Sequence, residues 1–450
     1  MQRGETIEVE ISGVSHQGDG VGRHEGMAVF VPGALPGERV QAQVTAVKKN
    51  LARTHLLKVE KPSPERVEPR CASYEACGGC QWQHGSYKEQ LYWKTQRVKE
   101  ALTRIGKIEG AVVHPALGMD GPWHYRNKGQ FHVDYRQGKW VIGQYAPQSR
   151  RVVSAAVCPL FPEEWGSILT KIEQWLQELA PQGGDPREGL RHVVLRQSWR
   201  STGEIMVILI TGKKEDPVAG ALSEKISRGF PRAVSIWQNV NPKPEPVVLG
   251  EKYYHIKGKV TIEEELDGIK FSISPASFFQ VNPSQTLRLY RKVRDYAGLT
   301  GEETVLDVYC GLGAIALYLA RQAKEVIGVE SVPEAVEDAQ ANTCLNGITN
   351  ARFLAGPAEE ILPRLQSQGI RPQVIVVDPP RQGCDPKVLE AMVEMEPERI
   401  IYVSCDPATL ARDLELLQNK GYRTVEVQPV DMFPQTGHVE TVVLMSRVEK

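Results

Sequence analysis

Thr304-Val305-Leu306-Asp307-Val308-Tyr309-Cys310-Gly311-Leu312-Gly313 is the stretch on which the fold turns. The apolar, β-branched run to Val308 reads as a buried strand, the glycines as a tight turn, and the following residues as a helix. Val326-Ile327-Gly328-Val329-Glu330 reads as the next strand, ending in an acid. That acid falls near the ~20-residue spacing at which a carboxylate grips ribose hydroxyls in a βαβ nucleotide-binding unit. Glu330 is therefore a candidate cofactor contact. The full Gly-x-Gly-x-x-Gly fingerprint is missing, since Ala316 occupies its last position, which disfavours NAD without excluding it.

Three more strands lie downstream. Gln373-Val374-Ile375-Val376-Val377-Asp378-Pro379-Pro380-Arg381 ends in an acid and a rigid turn, and Ile400 to Val403 runs into Ser404-Cys405-Asp406-Pro407. Gly437-His438-Val439-Glu440 places a carboxylate at the start of the last apolar run. Ligands of open α/β sheets bind at the carboxyl ends of strands, so Cys405, Asp378 and Glu440 are expected at one site. A lone cysteine ordinarily packs as a small hydrophobe. With two carboxylates beside it, Cys405 reads as a nucleophile with a proton acceptor at hand.

The chain has 450 residues, too many for one core, so two to three domains are expected. A net charge of −1 announces no global attraction to nucleic acid, and any basic groove must be local. The N-terminus lacks an apolar signal region and no apolar run reaches membrane-spanning length, which points to a cytoplasmic protein with no membrane association. No obligate protein partner is evident.

Residues 1–60 read as a small β-barrel: alternating Thr6 to Ile11, glycine-rich turns at Gly18 to Gly22, then Met27 to Val31 and Arg39 to Val44. Lys48, Lys49 and Arg53 could touch phosphates or be solvated surface charges. Residues 61–265 form a mostly β central domain that opens with Cys71-x5-Cys77-x2-Cys80. With Cys158 as the obvious fourth ligand, four thiols suit zinc or an iron–sulfur cluster, and spacing alone does not separate the two. Ser86 to Ile105 reads as a helix with Leu91, Val98, Leu102 and Ile105 on a core-facing stripe, and it could pack on the catalytic domain. Trp123 to Arg151 mixes rings with cations, a pattern that suits unpaired RNA or a half-buried sheet equally. Gly189 to Gly212 reads as a hairpin turning near Thr202-Gly203, and residues 266–450 as the α/β catalytic domain.

Ser274-Pro-x-Ser-Phe-Phe-Gln280-Val-Asn282, Asp307-x-Tyr-Cys-Gly-x-Gly313, Asp378-Pro-Pro-Arg381-x-Gly383, Ser404-Cys-Asp-Pro407 and Gly437-His-Val-Glu440 together resemble the RNA uracil-C5-methyltransferases. The barrel resembles a TRAM domain. With Cys71, Cys77, Cys80 and Cys158 it looks like the branch that carries a TRAM domain and a [4Fe-4S] cluster and modifies ribosomal RNA. The resemblance spans essentially the whole chain. It implies an OB-like TRAM barrel, a cluster-binding central domain and a Rossmann-like domain using S-adenosyl-L-methionine (SAM).

The resemblance further implies that Cys405 is the nucleophile and Glu440 the base, with Gln280, Tyr309, Glu330 and Asp378 at the cofactor and the four cysteines at the cluster. Some relatives have Asn-Pro after the nucleophile where this chain has Asp406-Pro407, and others have Asn where this chain has Ala314. The implied substrate is a uridine of large-subunit ribosomal RNA, with transfer RNA as the alternative. A non-catalytic RNA-binding assembly factor would explain the barrel and leave the Cys–Glu pair without a purpose. An amino-methyltransferase would need no thiol, and a radical-SAM enzyme would space its cysteines differently.

Overall fold

A computed structural model describes residues 1–180, 189–199, 201–243 and 247–448. Strands β1 (Thr6–Val14), β2 (Gly20–His24), β3 (Met27–Val31), β4 (Arg39–Lys48) and β5 (Leu51–Lys61) close into a barrel in the order β1-β2-β3-β5-β4. Alternation sends Ile7, Val9 and Ile11 of β1 inward against Val40, Ala42 and Val44 of β4. Part of the expected glycine turn is strand β2. Gly22 lies so close to β1 that a Cβ there would stand 2.2 Å from the Glu10 carbonyl oxygen, so the glycine marks close strand approach.

The central region holds α1 (Tyr87–Arg104), β6 (Val112–Val113), β7 (Lys128–Arg136), β8 (Lys139–Tyr145), β9 (Val152–Ser154), α2 (Glu163–Leu179), β10 (Leu190–Gln197), β11 (Ile205–Thr211), α3 (Pro217–Gly229), β12 (Ser235–Val240) and β13 (Lys252–Gly258). Its sheet runs β13-β12-β11-β10-β7-β8-β9. The expected hairpin is β10–β11, paired antiparallel with Leu195 opposite Val207; Arg200, in its turn, lies outside the described residues. β11 and β12 are parallel, joined by α3 in a βαβ crossover that the sequence reading did not foresee. Phe131 packs edge-on against Phe161 and Trp165, so that ring of the aromatic and cationic stretch belongs to the core.

The C-terminal region follows with β14 (Ile262–Leu266), β15 (Ile269–Ile273), α4 (Pro283–Ala297), β16 (Thr304–Val308), α5 (Ala314–Ala320), β17 (Glu325–Glu330), α6 (Pro333–Leu345), β18 (Ala351–Ala355), α7 (Ala358–Ser367), β19 (Val374–Val377), α8 (Pro386–Glu394), β20 (Arg399–Ser404), α9 (Pro407–Gln418), β21 (Tyr422–Val430) and β22 (Glu440–Arg447). Its sheet runs β18-β17-β16-β19-β20-β22-β21-β6. β16 to β20 are parallel, and β22 inserts antiparallel between β20 and β21. Strand order reverses between β16 and β19, and such a switch point is where doubly wound sheets open a ligand crevice.

Helix α1 packs on α9 and β21 and so belongs to this sheet in space. Val98 and Leu102 face the core as expected, but Leu91 is half-buried and Ile105 is exposed. The other buried positions go to Gln90, Lys94 and Thr95. Among the described residues no helix is long and apolar enough to cross a membrane.

Candidate active site

Strand register assembles the site. Ser404, the last residue of β20, pairs with Thr441, so Cys405 one step on and Glu440 one step back sit at neighbouring strand ends, close enough that the Glu440 charge acts on the Cys405 thiol. On the other side Val377 pairs with Tyr402, which brings Asp378 alongside Val403. The turn under Cys405 is braced from both sides. The Asp406 N–H donates to Ser404 Oγ at 3.1 Å, and Asp406 Oδ1 accepts the N–H groups of Ala408 and Thr409 at 2.8 and 3.0 Å, capping α9. Aspartate at this position therefore does the N-cap work that asparagine would do equally.

The electrostatics follow from burial. The Glu440 carboxyl, 5% exposed, is pushed up to about 8 by burial and then by Asp378, with Arg381 opposing. Burial, Glu440 and Asp378 push the Cys405 thiol up to about 12, again against Arg381, and burial raises Asp378 to about 6. Cys405 thus lies in the field of both carboxyls and Glu440 in that of Asp378, and Arg381 favours the ionised forms of Cys405 and Glu440.

Beside them, a narrow cleft of about 60 Å³ lies at the switch point, lined by Gln280, Tyr309 and Asp378 among others. Gly313, at φ +83°, begins α5 in the left-handed region, and a Cβ there would press on the Phe353 ring at 2.9 Å. Glu330 does not line the cleft; its carboxylate accepts the N–H groups of Gly311 and Val332 at 3.0 and 2.9 Å and so holds the glycine turn.

Asp307 was not singled out as a ligand contact by sequence, although an acid inside an apolar strand is a visible signal. It lines the cleft and is 1% exposed; neither carboxylate oxygen has a donor in full hydrogen-bond geometry among the described residues, and the Ala316 N–H is the one group that acts on it favourably. Burial, then Asp378, holds it well above the usual carboxylate range. A buried carboxylate left unpaired is costly unless a donor or cation arrives with the ligand.

Cys71, Cys77, Cys80 and Cys158 all line a second cavity, of about 360 Å³, with Arg126 and Lys128 in its wall. Burial raises the Cys80 thiol to about 12 and the Cys158 thiol to about 11, and the neighbouring cysteines add to both shifts. Among the described residues no three His, Cys, Asp or Glu side chains converge tightly enough to hold a single metal ion. Phe278 and Phe279 line both cavities. Phe279 is a core residue at 4% exposure, whereas Phe278 is 68% exposed.

A doubly wound sheet with an antiparallel strand inserted near its edge, a glycine turn and a cleft at the switch point define a SAM-dependent methyltransferase domain. Residues 86–448 match the family described as tRNA (Uracil-5-)-methyltransferase, and residues 1–57 match the TRAM domain. The chain belongs to that family of SAM-dependent RNA methyltransferases, and it is an enzyme.

An uncharacterized RNA methyltransferase of Halalkalibacterium halodurans is 46% identical over 99% of this chain and 98% of its own length. Another, from Caldanaerobacter subterraneus subsp. tengcongensis, is 46% identical over 99% of each chain. Among solved structures, the Pyrococcus abyssi tRNA (uracil-54, C5)-methyltransferase in complex with S-adenosyl-L-homocysteine is 28% identical, with a TM-score of 0.76 over 98% of this chain and 99% of that one.

Proposed function

We propose that this enzyme methylates C5 of a uridine in RNA through a covalent adduct between Cys405 and C6 of the base. The observation that carries the reading is the register that sets Cys405 against Glu440 at adjacent strand ends, with Asp378 linking that pair to the cleft. Uracil C5 is a poor nucleophile. Addition of the Cys405 thiolate to C6 moves the C5–C6 π pair toward O4 and makes C5 electron-rich. SAM, when bound, supplies an electrophilic methyl group. Glu440 then takes the C5 proton, and the C6–S bond breaks with its pair returning to sulfur. Gln280, Tyr309 and Asp378 hold the cofactor, Glu330 holds the turn it rests on, and Asp307 offers the unpaired carboxylate that the ammonium-bearing end of SAM would satisfy.

The four cysteines are read as ligands of a [4Fe-4S] cluster, with zinc the alternative. Thiols that share one cavity without converging on a point suit a cluster better than a single ion, and bound metal would supply the charge that ionises them. The division into barrel, central and catalytic domains near residues 60 and 265 belongs to the same reading. The TRAM-plus-cysteine layout supports a target uridine in large-subunit ribosomal RNA as the first reading. A second reading, transfer RNA, is favoured by the full-length likeness to the Pyrococcus abyssi enzyme.

The test is nucleoside mass spectrometry of rRNA and tRNA transcripts after incubation with anaerobically purified protein and SAM. 5-Methyluridine is the expected product. Its appearance on tRNA alone would move the substrate assignment, and methylation of another base would overturn the reaction.

A further inference from the structure

Of Cys405, Asp378 and Glu440, only Glu440 belongs to a strand that runs antiparallel to its neighbours. It follows a loop, Asp431 to Val439, with few internal bonds, and what holds that loop comes from elsewhere in the chain. Gln285 Nε2 and Asn282 Nδ2 of the α4 region donate to the carbonyls of Asp431 and Met432 at 3.0 Å each. Lys94, fully buried and paired with Asp431, donates to the Phe433 carbonyl at 3.0 Å. The centre of the loop is Gln435.

Gln435 is 2% exposed and sits at φ +71°, a left-handed conformation that a residue other than glycine holds only when its surroundings impose it. Three sets of bonds impose it. Its N–H donates to Gln90 Oε1 at 3.0 Å, and Gln90 Nε2 returns a bond to Gln435 Oε1 at 3.0 Å. The Gln435 carbonyl accepts the N–H groups of Gln81 and Trp82 at 3.1 and 3.0 Å, the two residues directly after Cys80. Gln90 Nε2 also reaches the Trp82 and Gly85 carbonyls at 3.0 Å each, so one carboxamide joins the segment leaving the cysteine site to the loop entering β22.

We infer that Gln90 and Gln435 are positioning residues for Glu440: their reciprocal pair clamps the loop to the segment after Cys80 and thereby sets where the carboxylate meets C5. The inference rests on the reading of Glu440 as the base. Loosening the clamp affects the last step, proton removal and release of the sulfur, and leaves addition and methyl transfer intact. A strained residue held by four hydrogen bonds to Gln81, Trp82 and Gln90 is the kind of site where a displacement well under a bond length costs rate more than it costs binding.

The experiment uses the full chain, purified anaerobically, with whichever of the rRNA or tRNA transcripts it methylates, in ordinary and 5-fluorouridine forms. Gln435→Asn tolerates the left-handed backbone and keeps the main-chain bonds to Gln81, Trp82 and Gln90 Oε1, losing the side-chain bond from Gln90 Nε2 and the one to the Pro122 carbonyl. Gln90→Met keeps length and loses both hydrogen-bonding atoms. Each is expected to lower kcat on the order of 10–100-fold, with KM for SAM and RNA within about twofold. A covalent protein–RNA species should accumulate on ordinary RNA, as with Glu440→Gln. Because fluorine cannot leave as a cation, 5-fluorouridine RNA stops every variant at the adduct, and its trapping rate should equal the parent's.

Normal turnover without accumulated adduct in both variants overturns the inference. So does slowed trapping on 5-fluorouridine RNA, which would mark a general structural role. If Glu440→Gln itself accumulates no adduct, the base assignment fails and the clamp fails with it. If Glu440→Gln accumulates adduct and the glutamine variants do not, the clamp alone fails.

Discussion

Two cavities meet at Phe278 and Phe279, and each carries charge of a single sign. In the switch-point cleft, the charges that act on Asp307 are Asp378 and Glu330, both its own sign. In the cysteine cavity, the charges that act on Lys128 are Arg196 and Arg126, again its own sign. Buried like charges oppose folding, so each set implies a ligand of opposite sign that repays the cost when bound. The acidic cleft suits a cofactor with sulfonium and ammonium groups, and the cationic cavity suits ionised thiols or phosphate. The five cysteines read as functional differ in setting: Cys405 follows a strand end within the field of Glu440, and Cys71, Cys77, Cys80 and Cys158 share a cavity wall with cations.

The largest effect that this contrast predicts is at Cys405. Cys405→Ala removes the sulfur on which the Glu440 charge acts, and methyl transfer should fall by at least ~10⁴-fold while SAM binding stays within about twofold. Cys80→Ala should instead lower thermal stability and metal content and leave measurable turnover. If the two variants lost activity equally with metal retained in both, the division of labour between the thiols would be wrong. Radiolabel transfer from SAM, read with metal analysis, decides it.

Glu440→Gln comes next, with turnover reduced roughly 10²–10⁴-fold and adduct accumulating. It also carries a signed pH effect. The folded carboxyl is raised to about 8 from an ordinary 4.5, so between those values the folded state keeps a proton that the unfolded chain has released. Glu440 therefore makes the protein less stable as pH rises through that window. Relative to the parent, Glu440→Gln should gain melting temperature progressively from about pH 5 to pH 8. A parent–variant difference that is flat with pH would show that the carboxyl is not raised.

Asp307→Asn should weaken SAM binding by about 10–100-fold, the loss of a charged hydrogen bond worth ~1.5–3 kcal/mol. In the cofactor-free protein it should raise the melting temperature, because an unpaired buried carboxylate disappears. Calorimetric titration and melting scans check the two signs, and a loss of stability in both states would mean that Asp307 has a partner within the fold.

The alternation of apolar runs with turn residues marks every strand that delivers a site residue, and the order of the motifs brings Cys405, Asp378 and Glu440 to one sheet. That Cys405 neighbours Glu440 is not visible in sequence, because it depends on the antiparallel insertion of β22 beside β20, a pairing between distant segments. Helix α1 shows the other limit. Its apolar residues predict an ordinary core stripe, yet Gln90 and Lys94 take buried places because the loop before Glu440 needs partners there: Gln90 accepts the Gln435 N–H and donates to its side-chain oxygen, and Lys94 donates to the Phe433 carbonyl. Local pattern carries no trace of that need. Glu330 illustrates a third: the spacing that marks it as a candidate ribose contact carries no sign of the bonds its carboxylate makes to the backbone around the glycine turn.

The smallest effect tests the cationic side. Lys128 is lowered to about 7 by burial and by Arg196 and Arg126, so in metal-free protein its charge is a liability. Lys128→Gln removes that liability and should raise the melting temperature of the stripped protein by roughly 1–3 °C, the shift expected for about 1 kcal/mol in a protein of this size. In anaerobically purified, metal-loaded protein the same ammonium faces ionised thiols and becomes a favourable counter-charge. There the substitution should leave the melting temperature unchanged or lower it. The sign of the shift therefore depends on occupancy, as Asp307→Asn depends on SAM. A rise of equal size in both forms would show that Lys128 does not feel the occupant of the cysteine cavity, and the symmetry between the two cavities would then be an accident of burial.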